Sequence, residues 1–280
     1  MTQLAFDSPA KLNLMLHITG RRDDGYHLLQ TVFQFIDLCD RIVFTNNPDG
    51  EVRLDRHNSP VAANDDLLLR AANLLRDRYR VTQGVTIDVD KRIPLGAGLG
   101  GGSSDAATCL MALNQLWDLR LTNAELRQLG LELGADVPIF IFGRNAWAEG
   151  VGDRLQAIDL PEKWYLVVHP AISVSTAQIF AAKDLTRDCA PIKIRAFLEG
   201  GGANVCQPVA RGLYPQIGQT LDWLGQFGVA RMTGTGACVF AAFDSEAEAT
   251  RVQTKVPSPW NGYVARSLTS NPVTDACFAG

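Results

Sequence analysis

Residues 96–104 read Gly96-Ala97-Gly98-Leu99-Gly100-Gly101-Gly102-Ser103-Ser104, after Pro94-Leu95. Glycine allows positive φ and lets a backbone approach a ligand closely. A strand pattern precedes this string and a helix pattern follows it. The start of that helix offers unpaired N–H groups and the positive end of its dipole, which favours bound phosphate. Gly96, Gly98 and Gly101 can be parsed as a dinucleotide fingerprint. That fingerprint needs a second strand after the helix, and here a second helix follows. The string is not a Walker loop, because no Gly-Lys-Ser/Thr closes it. A distinct phosphate loop, or a purely structural loop, remains.

Moving a phosphoryl group also requires a placed acceptor hydroxyl, neutralised charge and a group to orient or deprotonate the acceptor. Asp136, in Gly134-Ala135-Asp136-Val137-Pro138, is the candidate carboxylate. The same position would suit a helix cap, with Pro138 in the first turn. Lys11 is the candidate cation, although a lone lysine on a strand is often only solvated. Ser103 and Ser104 offer hydroxyls to phosphate or Mg²⁺, and no set of metal-ligating residues stands out. Beside the turn signal Asp24-Gly25, Tyr26 offers a ring face for stacking, and His27 offers donor and acceptor nitrogens for a base edge.

The elements that carry these residues follow from periodicity. Residues 11–18 alternate, with Leu12, Leu14, Leu16 and Ile18 on one face and Lys11, Asn13, Met15 and His17 on the other. That is a strand with one buried face. Two more strands are expected near 28–38 and 41–45, a helix over 65–78 and a strand over 85–90. After the glycine string, residues 105–117 place Ala106, Cys109, Leu110, Leu113, Leu116 and Trp117 on one helical stripe. Thr122 to Glu125 is a capping box, and Gly134 suits the end of that helix. Further on, a strand is expected over 164–169, helices over 176–183 and 215–225, and strand–turn–strand over 231–243. Ser245 to Glu248 is a second capping box, and a strand near 262–267 closes the chain. The mixed order reads as α+β.

With 280 residues the chain suits two domains sharing a cleft. A net charge of −4 with no basic block argues against non-specific binding to nucleic acid. The six cysteines form no CxxC pair and read as free thiols of a reducing compartment. No signal peptide or membrane span is visible, so a cytoplasmic protein is expected. The oligomeric state stays open between a monomer and a weak dimer.

The string from Pro94 to Ser104 between strand and helix resembles the central motif of the GHMP kinases. Pro9-Ala10-Lys11-Leu12-Asn13-Leu14 resembles their first motif, and Thr233-Gly234-Thr235-Gly236-Ala237-Cys238 their third. The resemblance implies a ribosomal protein S5 domain 2-like N-terminal domain over 1–156 that binds ATP. It implies a ferredoxin-like C-terminal substrate domain over 157–280. It also implies Asp136 as general base, with Lys11 beside it as electrostatic partner. ATP with Mg²⁺ would be the phosphoryl donor, bound by residues 94–104. Asp24 to Thr31 resembles the cytidine-binding segment of one branch of the family. In that branch Tyr26, His27 and Phe180 hold the base, Asn13 and Phe33 line the pocket, and the substrate is a cytidine diphosphate-linked alcohol. The branch serves the non-mevalonate route to isoprenoid precursors. Residues 187–212 match no expected role.

Overall fold

A computed structural model of the chain describes residues 2–23, 25, 27–56 and 66–278. Its organising element is β2 (His27–Asn47), which pairs antiparallel with β1 (Gln3–Arg21) along almost its whole length. The other edge of β2 is shared among three partners. Leu29–Phe33 pair with β5 (Ala146–Gly150), Phe35 and Ile36 with β10 (Asn261–Leu268), and Arg41–Asn47 with β4 (Gly84–Asp90). Two strands were expected here, and one continuous strand forms. The pairing carries a bulge near the expected break: Pro9 faces Cys39 and Ala10 faces Ile36, so Asp37 and Leu38 are skipped. A bulge bends a strand without ending it.

β3 (Val52–Arg56) lies parallel to β4, and α1 (Leu67–Tyr79) intervenes in sequence. The glycine string leads into α2 (Gly101–Leu116). Then come α3 (Asn123–Leu133), opened by the Thr122–Glu125 capping box and stopped at Gly134, and α4 (Val137–Phe142). The expected single stripe on α2 is too narrow. Every residue from Ser104 to Leu113 is buried, because α2 runs between the sheet and α1, α3, α4 and α10. Small residues on it, among them Ala106, Ala107 and Ala112, allow neighbours on all sides to approach.

β5 forms a hairpin with β6 (Arg154–Ala157). β7 (Trp164–His169), β8 (Arg231–Met232), β9 (Val239–Phe243) and β10 make the antiparallel second half. Around it lie α5 (Thr176–Ala181), α6 (Ile194–Leu198), α7 (Cys206–Leu213), α8 (Pro215–Leu224) and α9 (Glu246–Gln253). The expected closing strand is not the last element. α10 (Pro272–Phe278) follows and returns Val273 to the first core, which centres on α2 and β2.

The reading of β1 as a strand with one buried face is also corrected. Lys11 and Asn13 are buried nearly as fully as Leu12, and Met15 is buried too. A bulge at Leu14 shifts the alternation, because Asn13 faces Phe33 while Met15 faces Val32. Beyond it, Leu16 and Ile18 join the core of the second half. β1 thus crosses from one core to the other, and its second face is roofed by the glycine string. All six cysteines are free. Burial pushes the Cys206 thiol up to about 12, and Cys109 and Cys238 are raised further for the same reason. No described helix is long and apolar enough to cross a membrane.

Candidate active site

Gly96, Gly98 and Gly100 have φ of 62°, 76° and 73°. The intervening Ala97 and Leu99 bury their side chains in a small core with Ala10, Leu12 and Ile93. Their carbonyls stitch the string down: Ala97 O accepts from Cys238 N–H (3.0 Å) and Leu99 O from Lys11 N–H (2.9 Å). At Gly98 an added Cβ would stand 2.3 Å from the Thr233 carbonyl oxygen and 2.9 Å from that of Gly236. The second motif therefore meets the third backbone to backbone, which no larger residue permits. At Gly100 a Cβ would meet the Phe140 ring at 2.9 Å and Lys11 Cε at 3.0 Å.

The string separates two hollows. The larger, of about 370 Å³, is lined by Gly96, Gly98, Gly100 and Ser103 of the string together with Lys11, Asn13, Phe33, Asp136 and Phe180. A smaller hollow, of about 210 Å³, lies behind the string, with Pro94, Leu95, Gly101, Gly102, Leu67 and Lys91 in its walls. Ser104 faces neither. It is buried, donates to the Pro9 carbonyl (2.6 Å) and shares a hydrogen bond with Ser8 (2.7 Å), so its hydroxyl is committed to the protein.

Within the larger cleft, the Lys11 ammonium donates to Asn13 Oδ1 (2.6 Å) and to the Gly98 carbonyl (3.0 Å). It also stands 3.3 Å from Asp136 Oδ2 and 5.7 Å from the centre of the Phe33 ring. The lysine side chain is 3% exposed and the aspartate 41%, so the cation is fixed and the carboxylate is open to the cleft. Asp136 precedes α4, with Pro138 in the first turn, but its side chain makes no capping bond. The capping role that local sequence allowed is not taken. Asn13 Nδ2 donates to Thr31 Oγ1 (2.9 Å), whose hydroxyl donates to the Met15 carbonyl (2.5 Å). Asn13 N–H donates to Thr233 Oγ1 (3.0 Å), and that hydroxyl donates to the Gly98 carbonyl (3.1 Å). All three glycine- and lysine-bearing motifs thus meet in one hydrogen-bonded line.

At the far end of the cleft Phe180 stacks on His27, with ring centres 4.9 Å apart and planes at 21°. Burial lowers the His27 pKa, and the charges of Arg187 and Arg21 lower it further. His27 Nε2 is buried without a hydrogen-bond partner. Phe33 is both core and cleft wall, at 2% exposure. Tyr26 lies outside the described residues. Thr176 and Thr235 hydroxyls meet at 2.9 Å across this end, joining α5 to the third motif.

Sequence reasoning missed the buried group beneath the string. Asp40 Oδ1 accepts from the N–H groups of Arg92 (2.6 Å) and Ile93 (2.8 Å). The Lys91 ammonium bonds both Asp40 Oδ2 and Asp105 Oδ2, the latter at 2.7 Å. Burial is the main cause that pushes Asp105 up to about 7. The signal was available: Asp40 interrupts an apolar run, and Asp105 sits beside the apolar stripe of α2. Among the described residues no three His, Cys, Asp or Glu side chains cluster as a metal site.

Comparison with known proteins shows the family. The GHMP kinases N terminal domain matches residues 66–144, and the GHMP kinases C terminal domain matches residues 188–262. A Nitrosococcus oceani protein named 4-diphosphocytidyl-2-C-methyl-D-erythritol kinase is 55% identical over 275 residues, 97% of each chain. A Thiobacillus denitrificans protein of the same name is 52% identical over 97% of this chain and 98% of its own. The crystal structure of a 4-(cytidine 5'-diphospho)-2C-methyl-D-erythritol kinase superposes with a TM-score of 0.82 at 32% identity, covering 94% of this chain and 99% of that one. A mevalonate kinase structure shares the fold, with a TM-score of 0.70 at 17% identity over 96% and 99% of the two chains. With both family domains matched and relatives aligned end to end, this chain belongs to the GHMP kinases, small-molecule kinases with ATP as co-substrate.

Proposed function

We propose that the protein transfers the terminal phosphoryl group of ATP to the 2-hydroxyl of 4-diphosphocytidyl-2-C-methyl-D-erythritol, giving the 2-phosphate and ADP. Its place is the non-mevalonate route to isoprenoid precursors. The observation that carries the reading is the Lys11–Asp136 pair, 3.3 Å apart, in a cleft with the glycine string at one end and the His27–Phe180 stack at the other.

In this reading residues 1–156 hold the donor, and residues 157–280 contribute Phe180 and the third motif. Loop N–H groups and the N-terminus of α2 hold the donor phosphates. The acceptor hydroxyl lies between Asp136 and the transferred phosphorus. Asp136 takes the hydroxyl proton as the new O–P bond forms and the bond to ADP breaks. The Lys11 ammonium stabilises the charge that develops on the acceptor oxygen. The cytosine ring stacks on Phe180 with Tyr26 expected on its other face, and His27, which covers Phe180 here, turns off that ring to bring its nitrogens to the base edge. Asn13 and Phe33 shape the floor.

The reading includes Mg²⁺. Ser103 puts a hydroxyl on the cleft wall, and a single hard oxygen donor suits an ion that would keep its phosphate and water ligands. When bound there, Mg²⁺ would neutralise phosphate charge.

The test is ADP release with ATP and Mg²⁺ on 4-diphosphocytidyl-2-C-methyl-D-erythritol, homoserine and mevalonate in parallel. Turnover only on the cytidine-linked alcohol is expected. Turnover on another alcohol would keep the family and remove the cytidine assignment.

A further inference from the structure

Phe180 sits one residue from the C-terminus of α5, a helix of two short turns. Such an end leaves carbonyls without partners. Here one side chain reaches two of them and a third carbonyl further on. The Arg187 guanidinium donates through Nη2 to the carbonyls of Phe180 (2.8 Å) and Ala182 (2.7 Å), and through Nη1 to that of Leu185 (3.1 Å). Two residues later the Cys189 N–H donates to the Ile18 carbonyl of β1 (2.9 Å). Arg187 is therefore held to the sheet through its backbone, and it holds the backbone of Phe180 through its side chain. The backbone that carries the Phe180 ring is thereby tied to the sheet near His27, which opens β2 next to β1. The same guanidinium acts electrostatically on His27.

We propose that Arg187 is the positioning residue that fixes Phe180 opposite the sheet, and that it thereby sets how well the site holds a cytosine ring. This rests on the reading above, that Phe180 and His27 receive the base. A planar fork with several fixed donors can meet three carbonyls at once. An ammonium on a flexible stem cannot hold them in the same geometry. Stacking is worth ~1–3 kcal/mol per base, so a displaced ring should weaken cytidine binding about tenfold and leave the donor site alone.

The experiment compares wild type, Arg187→Ala, Arg187→Lys and Phe180→Ala in two assays. One is calorimetric binding of CDP and UDP. The other is the split of kcat and KM for 4-diphosphocytidyl-2-C-methyl-D-erythritol and for ATP. Arg187→Ala should raise Kd for CDP and KM for the acceptor about tenfold, close to Phe180→Ala, with KM for ATP and kcat within about twofold. Arg187→Lys keeps the charge and stem, so it should fold and fall between. It guards against an alanine variant that fails to fold. Arg187→Ala and Arg187→Lys both binding CDP like wild type, while Phe180→Ala does not, would overturn the role of Arg187 alone. Parallel losses in both substrates' KM would reduce it to general stability and overturn it too. Wild type binding CDP no better than UDP, with Phe180→Ala unchanged, would remove the base site and this proposal with it.

Discussion

Lys11 Nζ stands 3.3 Å from Asp136 Oδ2, yet the lysine is enclosed and the aspartate is open. The ammonium keeps bonds to Asn13 and Gly98 whether or not the carboxylate is there. The two residues should therefore fail differently. Asp136→Asn should lower kcat by ~10²-fold or more and barely move Tm, since the side chain caps nothing. Lys11→Ala should lose activity similarly and also destabilise by about 2 kcal/mol or more, because Asn13 and Gly98 lose a buried partner. The double variant should be little worse than the poorer single one, since the pair acts as a unit. Rates and melting curves on the three variants check this. Equal melting losses for the two single variants would contradict it.

The glycines of the phosphate string are not equivalent. Gly98 is hemmed by the Thr233 and Gly236 carbonyls and has positive φ, so Gly98→Ala must push the second motif off the third. A loss of ~2–4 kcal/mol is expected, from strain plus backbone displacement. Gly102 lies in the first turn of α2, and an added Cβ would meet only Leu67 Cδ1 at 3.7 Å. Gly102→Ala should be neutral or stabilise by ~0.4–1 kcal/mol. Denaturant melts of both variants distinguish these cases.

Asp105 titrates at about 7 in the folded chain against an ordinary 3.8, chiefly through burial. The folded state then binds more protons than the unfolded state between those values. This stabilising contribution is complete below about pH 4 and is lost as pH rises through 7. Asn cannot lose a proton there. The Tm difference between Asp105→Asn and wild type should therefore move in the variant's favour from pH 5 to pH 8. A constant offset across that range would count against the assignment.

Three histidines behave in the opposite sense. His17, His27 and His169 all have lowered pKa values, with burial as the leading cause. Unfolding lets them take up protons, so their contribution to stability is present above the unfolded value of ~6.5 and declines as pH falls through it. An NMR titration of the ring protons should place the His27 midpoint, identified by His27→Gln, below 6.5. A midpoint at or above that value would show that neither burial nor the charges of Arg187 and Arg21 hold the ring's pKa down.

Much of this architecture could be read residue by residue. The capping box at Thr122, the stop at Gly134 and the strand at 164–169 are written in local chemistry, and they appear where that chemistry put them. The glycine string was legible too, since only a close backbone approach calls for so many glycines between two regular elements. What the sequence could not settle was which second surface would cover an element already satisfied on its first. Alternation in β1 reports one buried face and is silent on whether the glycine string will roof the other. That roof makes Lys11 a buried cation and not a solvated one. Nor does local sequence tell Asp136 to cap α4 or to face Lys11, because both need only a short carboxylate at a helix start. The Asp40–Lys91–Asp105 group and the grip of Arg187 on α5 are likewise contacts between segments distant in the chain. Local propensity and periodicity act over a few residues and determine elements. Burial, charge pairing and the shape of the cleft depend on which distant surfaces meet, and only the folded chain decides that.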